Sequence, residues 1–145
     1  WIPVNAKLDD EFSYFQITNL KGYISTYKFL SHILVISDAC ETGGAFCIAE
    51  NNPLEPGDCL KADQMRKRSA QVFTSSNVEK SADNSMFAGI FSDILIANSD
   101  PCLPIEKIRT KVTKAVTFNQ AQKPMFGHIA GVPHDGGSFY FFRIK

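Results

Sequence analysis

The chain has no surplus charge of either sign: across 145 residues, 15 Lys+Arg stand against 15 Asp+Glu, a formal net charge of zero. That balance leaves no electrostatic footprint for nucleic acid or an anionic membrane surface, so neither is expected as a direct partner. Long apolar runs are also lacking. The longest fall far short of the roughly 20 residues a spanning helix needs, and a soluble domain is expected. Cysteine is sparse, at positions 40, 47, 59 and 102, without paired metal-ligand spacing. No metal is expected there. Only Cys47 and Cys59 are near enough in sequence to suggest a local bridge, and reduced thiols in a cytoplasmic protein are expected over a disulfide framework. Histidine is scarcer still, three in all. No internal repeat is visible, and 44% hydrophobic residues suffice for one packed domain over 1–145.

What is present centres on Ser31 to Phe46, SHILVISDACETGGAF. Four consecutive branched apolar residues, Ile33 to Ile36, predict a strand buried on both faces in a parallel sheet between helices. Ligands of such sheets bind beyond the carboxyl ends of the strands, where Cys40 falls. Side chains alternate along a strand, so Asp38 and Cys40 are expected to point the same way, about 6–7 Å apart. Gly43 and Gly44 let the backbone turn tightly and bring amide donors near a substrate carbonyl.

Around this stretch the pattern alternates strand with helix. Thr18 or Asn19 can cap a helix whose apolar face comprises Leu20, Tyr23, Ile24, Tyr27 and Leu30. Residues 45–64 read as a long loop, and Arg66-Lys67-Arg68 as a solvated basic turn. A strand over Gln71–Ser75 follows, with Val72 and Phe73 buried and Ser76 at its carboxyl end beside Cys40. Asp83, Asn84 or Ser85 caps a helix running to Ala97, with Met86, Phe87, Ile90, Phe91, Ile94 and Leu95 on its buried face. Pro104 suits the first turn of a second helix through Ile105, Ile108, Val112 and Val116. A short extended segment over Phe126–Ile129, a turn at His134-Asp135-Gly136-Gly137 and a strand from Ser138 to Ile144 complete the chain. The expected fold class is α/β, a three-layer sandwich with a mostly parallel central sheet.

Four segments in order resemble the caspase-like cysteine peptidases: caspases, metacaspases and their bacterial, CHAT-type relatives. SDACETGG is similar to the segment that carries their catalytic cysteine. Trp1-Ile2-Pro3-Val4-Asn5-Ala6 resembles an upstream WIPVDA-like segment, Arg66 to Ser75 resembles the next strand, and Phe126 to Phe139, with HDGGSF inside it, resembles the C-terminal strand. The resemblance implies the C-terminal part of a caspase-like catalytic domain. It makes Cys40 the nucleophile, with the Gly43-Gly44 turn assisting the oxyanion, and it makes a protein or peptide the substrate. Asp38 and Asp83 match acidic positions of a pocket that receives a basic residue before the scissile bond, and Ser76 borders that pocket. Arg66-Lys67-Arg68 then becomes a candidate self-cleavage point.

Such chemistry requires no cofactor, but it needs a base. In the family this is a histidine in a His-Gly motif on an earlier strand, which places it in a segment upstream of Trp1 and makes 1–145 a fragment. His128 and His134 are the candidates within the chain, since His32 lies at the entry of its strand. The Asp38 carboxylate also disfavours a Cys40 thiolate, by about 0.6 kcal/mol at a water-like dielectric and about 2.5 at an effective value near 20. Two classes therefore stand: a Cys-His endopeptidase completed by its upstream segment, or a catalytically inactive regulatory or binding module.

Overall fold

The computed structural model describes residues 5–7, 9–27, 29–39, 47–49, 59, 62–76, 85–119 and 122–144. After a 3-10 turn at Glu11–Ser13 come the helices α1 (Ile17–Thr26), α2 (Ala62–Arg66), α3 (Phe87–Ile96) and α4 (Ile105–Asn119). The strands are β1 (His32–Ser37), β2 (Cys47–Ala49), β3 (Ser69–Thr74), β4 (Cys102–Pro104), β5 (Met125–Ile129) and β6 (Tyr140–Phe142). Among the described residues no helix is long and apolar enough to cross a membrane.

The sheet corrects the expected architecture. Four strands run in the order β1-β3-β5-β2, and only β1 and β3 are parallel, from His32↔Ser69 to Ser37↔Thr74. β5 runs antiparallel to both β3 and β2, while β4 and β6 form a separate antiparallel ribbon. The sheet is thus mixed, and a mostly parallel central sheet in a three-layer sandwich is not what forms. The C-terminal strand, expected over Ser138–Ile144, shortens to Tyr140–Phe142 and leaves the main sheet to pair with Cys102–Pro104. Pro104 accordingly ends β4 instead of opening a helix.

The central strand is β3, not β1. Every β3 residue is buried, whereas β1 has a partner on one side only among the described residues, and its Ile36 is 42% exposed. The polar residues of β3 disguise it in the sequence, yet each has a partner. Ser69 Oγ lies 3.0 Å from His32 Nδ1, and Thr74 Oγ1 donates to the Ser76 carbonyl. Gln71 donates to the Glu106 carboxylate and accepts from the Phe139 amide. Buried polar groups are tolerated in a core when they are bonded in this way.

Alternation along the strands divides the apolar packing. Phe73 and Phe126 join Phe87 and Phe91 of α3 and Ile105, Ile108, Val112 and Val116 of α4, with Leu34 against them. Ala70, Val72 and Ile129 instead meet Ile33 and Val35 of β1 and Ile17, Leu20 and Ile24 of α1. The α1 face is therefore 17-20-24. Tyr23 and Tyr27, expected in the packing, are 65% and 49% exposed. The α3 and α4 faces match the expected spacing, except that Met86 is exposed. The loop expected over 45–64 contains β2 and the start of α2. The cysteine reading also changes: Cys59 bonds Cys102, 43 residues away in sequence, so the fold brings together two positions that sequence proximity had kept apart.

Candidate active site

The parallel ladder brings two strand ends level. The Ser75 amide donates to the Ser37 carbonyl at 3.0 Å, carrying the β1–β3 pairing one step past Thr74. Ser37, Thr74, Ser75 and Ser76 are buried there, and Ser76 in particular is fully covered, so it offers no surface to a substrate in this conformation. Asp38 follows at the surface. Its Oδ2 accepts from the Ala88 amide at 3.2 Å, near the start of α3. Ser85 Oγ accepts from the Phe87 amide at 3.3 Å, so two side chains from different parts of the chain cap one helix. Asp38 thus reaches a backbone donor 50 residues away, a role the local sequence does not announce. Cys40, Gly43, Gly44 and Asp83 lie outside the described residues. Covalent geometry alone keeps the Cys40 Cα within about 7 Å of that of Asp38.

All three histidines sit away from this end. His32 opens β1, opposite Ser69. His128 is opposite Gln71 on β5, and His134 Nδ1 accepts from the Ala70 amide at 3.1 Å. At about 3.3 Å per strand residue, Ala70 is roughly 16 Å from the level of Ser75, Gln71 roughly 13 Å, and Ser69 roughly 20 Å. This placement separates the three imidazoles from the Asp38 end of the sheet. Among the described residues no group of three His, Cys, Asp or Glu could hold a metal ion.

His134 has a different job. The β5 ladder on β3 starts at the Gln71↔His128 pair, so His134 supplies the acceptor that the ladder does not give to buried Ala70. Its turn is pinned as well: the Asp135 and Gly137 amides both donate to the Arg68 carbonyl, and a Cβ at Gly137 would overlap the Lys67 carbonyl oxygen. Lys67–Arg68 is therefore tied into a turn contact, and cleavage there would first require these bonds to open. The His134 ring stacks on that of His128, centroids 5.3 Å apart.

Burial, with a lesser push from His128, holds the His134 pKa below its ordinary 6.5, while Asp135 pulls the other way. A histidine whose folded pKa is depressed binds its proton more readily when unfolded. Stability is then full above about pH 6.5 and falls as pH drops through that value toward the folded pKa. We expect the urea midpoint to fall between pH 7.5 and 5.5, and to fall less in His134→Ala. An equal fall in the variant would remove His134 from the account.

Two further polar groups escape a reading of sequence patterns. Glu106, in the first turn of α4, is buried, and its carboxylate accepts from Ser138 Oγ at 2.6 Å and from Gln71 Nε2 at 3.2 Å. It joins α4, β3 and the approach to β6 at the amino-terminal side of the sheet. Gln122 is buried just before β5, with neither amide atom bonded. Because Met125 pairs with Thr74, Gln122 belongs to the segment entering the sheet at the Ser75 end.

No protein-family model matches the chain, and no curated protein or solved structure matches it significantly either. The family resemblance of the four segments accordingly rests on their own residues.

Proposed function

We infer that the chain is the cysteine-bearing part of a cysteine endopeptidase that cleaves proteins after arginine or lysine. Cys40 attacks the scissile carbonyl, and amides at the Gly43-Gly44 turn help to hold the oxyanion. Asp38 and Asp83 receive the substrate cation through charge-assisted hydrogen bonds. The observation that carries this reading is the convergence of the β1 and β3 carboxyl ends with the start of α3, immediately before Cys40. Catalytic groups are commonly placed at such strand ends.

The base comes from an upstream segment of the same protein. β1 is one of the two edges of the sheet among the described residues, a six-residue strand with four consecutive apolar residues and no proline. An edge of that kind is a template for another strand. A strand laid beside β1 with histidine at its carboxyl end would deliver an imidazole to the Cys40 side. The distant histidines of the chain itself favour the inactive-module reading for these residues taken alone. The Cys59–Cys102 bond weighs against a cytoplasmic location, because such bonds persist in oxidising compartments.

Assays of residues 1–145 alone and of the complete protein separate the two readings. The chain alone should show no peptide turnover, and its Cys40 should react slowly with iodoacetamide at neutral pH. The complete protein should turn over Arg or Lys peptides and lose this on replacement of a single upstream histidine. Turnover by the chain alone would remove the need for an upstream base. No turnover by either would favour the module.

A further inference from the structure

We propose that His134 is a proton-operated latch over a processing site: neutral, it holds the 134–137 turn on residues 68–70, and on protonation the turn lifts and opens the backbone of Arg66-Lys67-Arg68 to peptidases that cut after basic residues. The closed geometry admits the ring in one state only. Nδ1 accepts from the Ala70 amide at 3.1 Å, so the ring is neutral with its proton on Nε2. An imidazolium carries a donor on each nitrogen and accepts nothing. Its Nδ1–H would be set against the Ala70 N–H, and Ala70 is fully buried, so water cannot take over the bond.

What the turn covers is a cleavable sequence already half on offer. Arg66 and Lys67 have exposed side chains, but the backbone there is held. The Lys67 amide donates to the Asp63 carbonyl at 3.3 Å, and the Arg68 carbonyl accepts from the Asp135 and Gly137 amides at 2.9 and 3.3 Å. A peptidase that binds its substrate through the main chain needs that backbone free. Packing resists the lifting only weakly, because Val132 and Pro133, just before the turn, border a cavity of about 220 Å³ together with Ile24, Tyr27 and Arg68. The charged and titratable groups around the ring are His128 of β5, stacked on it, Asp135 of its own turn, Lys67 and Arg68 ahead of β3, His32 at the start of β1 and Tyr27 at the cavity. Of these only Asp135 favours a charge on the ring. The proton is therefore taken up more readily by the open form, in keeping with the lowered pKa of the closed one.

When opening and closing are fast, cutting follows the population of the open form. With an ordinary 6.5 in that form and a lower value in the closed one, the population rises by up to about ten-fold between pH 7.5 and 5.5. The test treats the complete protein with trypsin at both pH values, with cutting within 66–68 normalised to that of an unstructured peptide of residues 62–72. In the wild type the normalised rate should rise about ten-fold, while Lys107, Lys111 and Lys114 on α4 stay uncut. His134→Asn keeps an oxygen close to the place of Nδ1 and does not titrate, so it should be cut slowly at both values; His134→Ala should be cut fast at both. A flat wild-type rate, an equal rise in His134→Asn, or cuts in α4 rising in step, which would report global unfolding, overturns the proposal. Amide exchange in the wild type needs no variant to fold. Relative to intrinsic rates, Ala70, Asp135 and Gly137 should speed up together by about ten-fold over the same interval while Val72 does not, and unchanged exchange at the three would overturn the latch as well.

Discussion

Replacing Cys40 by alanine in the complete protein should abolish peptide turnover, a loss on the order of 10⁴-fold or more, while shifting unfolding free energy by less than about 1 kcal/mol. The asymmetry follows from position. Cys40 follows the exposed Asp38 by two residues, beyond the end of β1 at Ser37. Cysteine to alanine removes a single heavy atom, so the expected packing loss is small. Its chemical loss is complete, since no other group provides a nucleophile followed by a glycine turn. Denaturant midpoints of the wild type and Cys40→Ala, measured beside turnover of an Arg peptide, check both halves. Retained turnover sinks the assignment of Cys40. Lost turnover together with a large drop in midpoint would mean that the cysteine is structural and that the assay reads unfolding.

The electrostatics make the prediction stricter. At a separation of about 6.5 Å, an Asp38 carboxylate would oppose a Cys40 thiolate by up to about 2.5 kcal/mol at an effective dielectric near 20. Part of that charge faces the start of α3, where the Ala88 amide donates to it. An imidazolium from the upstream segment, or a bound substrate cation, offsets much of the remainder. The nucleophile should therefore be quiet without its partner and its substrate.

How much of this could be read in the sequence depends on what each residue can signal. The buried face of α4 was plain, because Ile105, Ile108, Val112 and Val116 repeat at helical spacing and all are fully buried. The end of β1 was not: the strand was expected to carry Asp38 and Cys40 on one face, whereas it stops at Ser37, with Asp38 outside it and a bend at Ala39. Nor was the position of that strand in the sheet. Ile33 to Ile36 has the composition of a central strand, while Ser69, Gln71 and Thr74 make β3 look peripheral. What reverses the order is long-range bonding: Glu106 and the Phe139 amide satisfy Gln71 from 35 and 68 residues away. Strand direction was hidden for a similar reason. A five-residue segment such as Met125–Ile129 pairs in either sense, and periodicity does not record which. At the site, Asp38 was legible as an ionisable group two residues from a cysteine. The partner of Asp38 was not, because a tertiary cap leaves no local spacing behind.

Loss of the Cys59–Cys102 bond should be the largest purely structural effect of a side-chain change. The bond closes a span of 43 residues. Loop-closure entropy for that length gives roughly 4 kcal/mol. At about 2–4 °C per kcal/mol for a domain of this size, a Cys59→Ala/Cys102→Ala variant should melt roughly 10 °C below the wild type. The span holds α2, β3 and α3, and the bond ties the segment ahead of α2 to the first residue of β4. Reduction of the wild type should reproduce the shift, and reduction of the variant should add nothing. Alkylation before and after reduction, read by mass, checks the pairing directly: Cys59 and Cys102 should label only after reduction. Their labelling in the native, unreduced protein would discard the bridge and restore the reduced-thiol expectation. Disulfides persist in oxidising compartments, where a cysteine acting as nucleophile, as proposed for Cys40, would itself be open to oxidation.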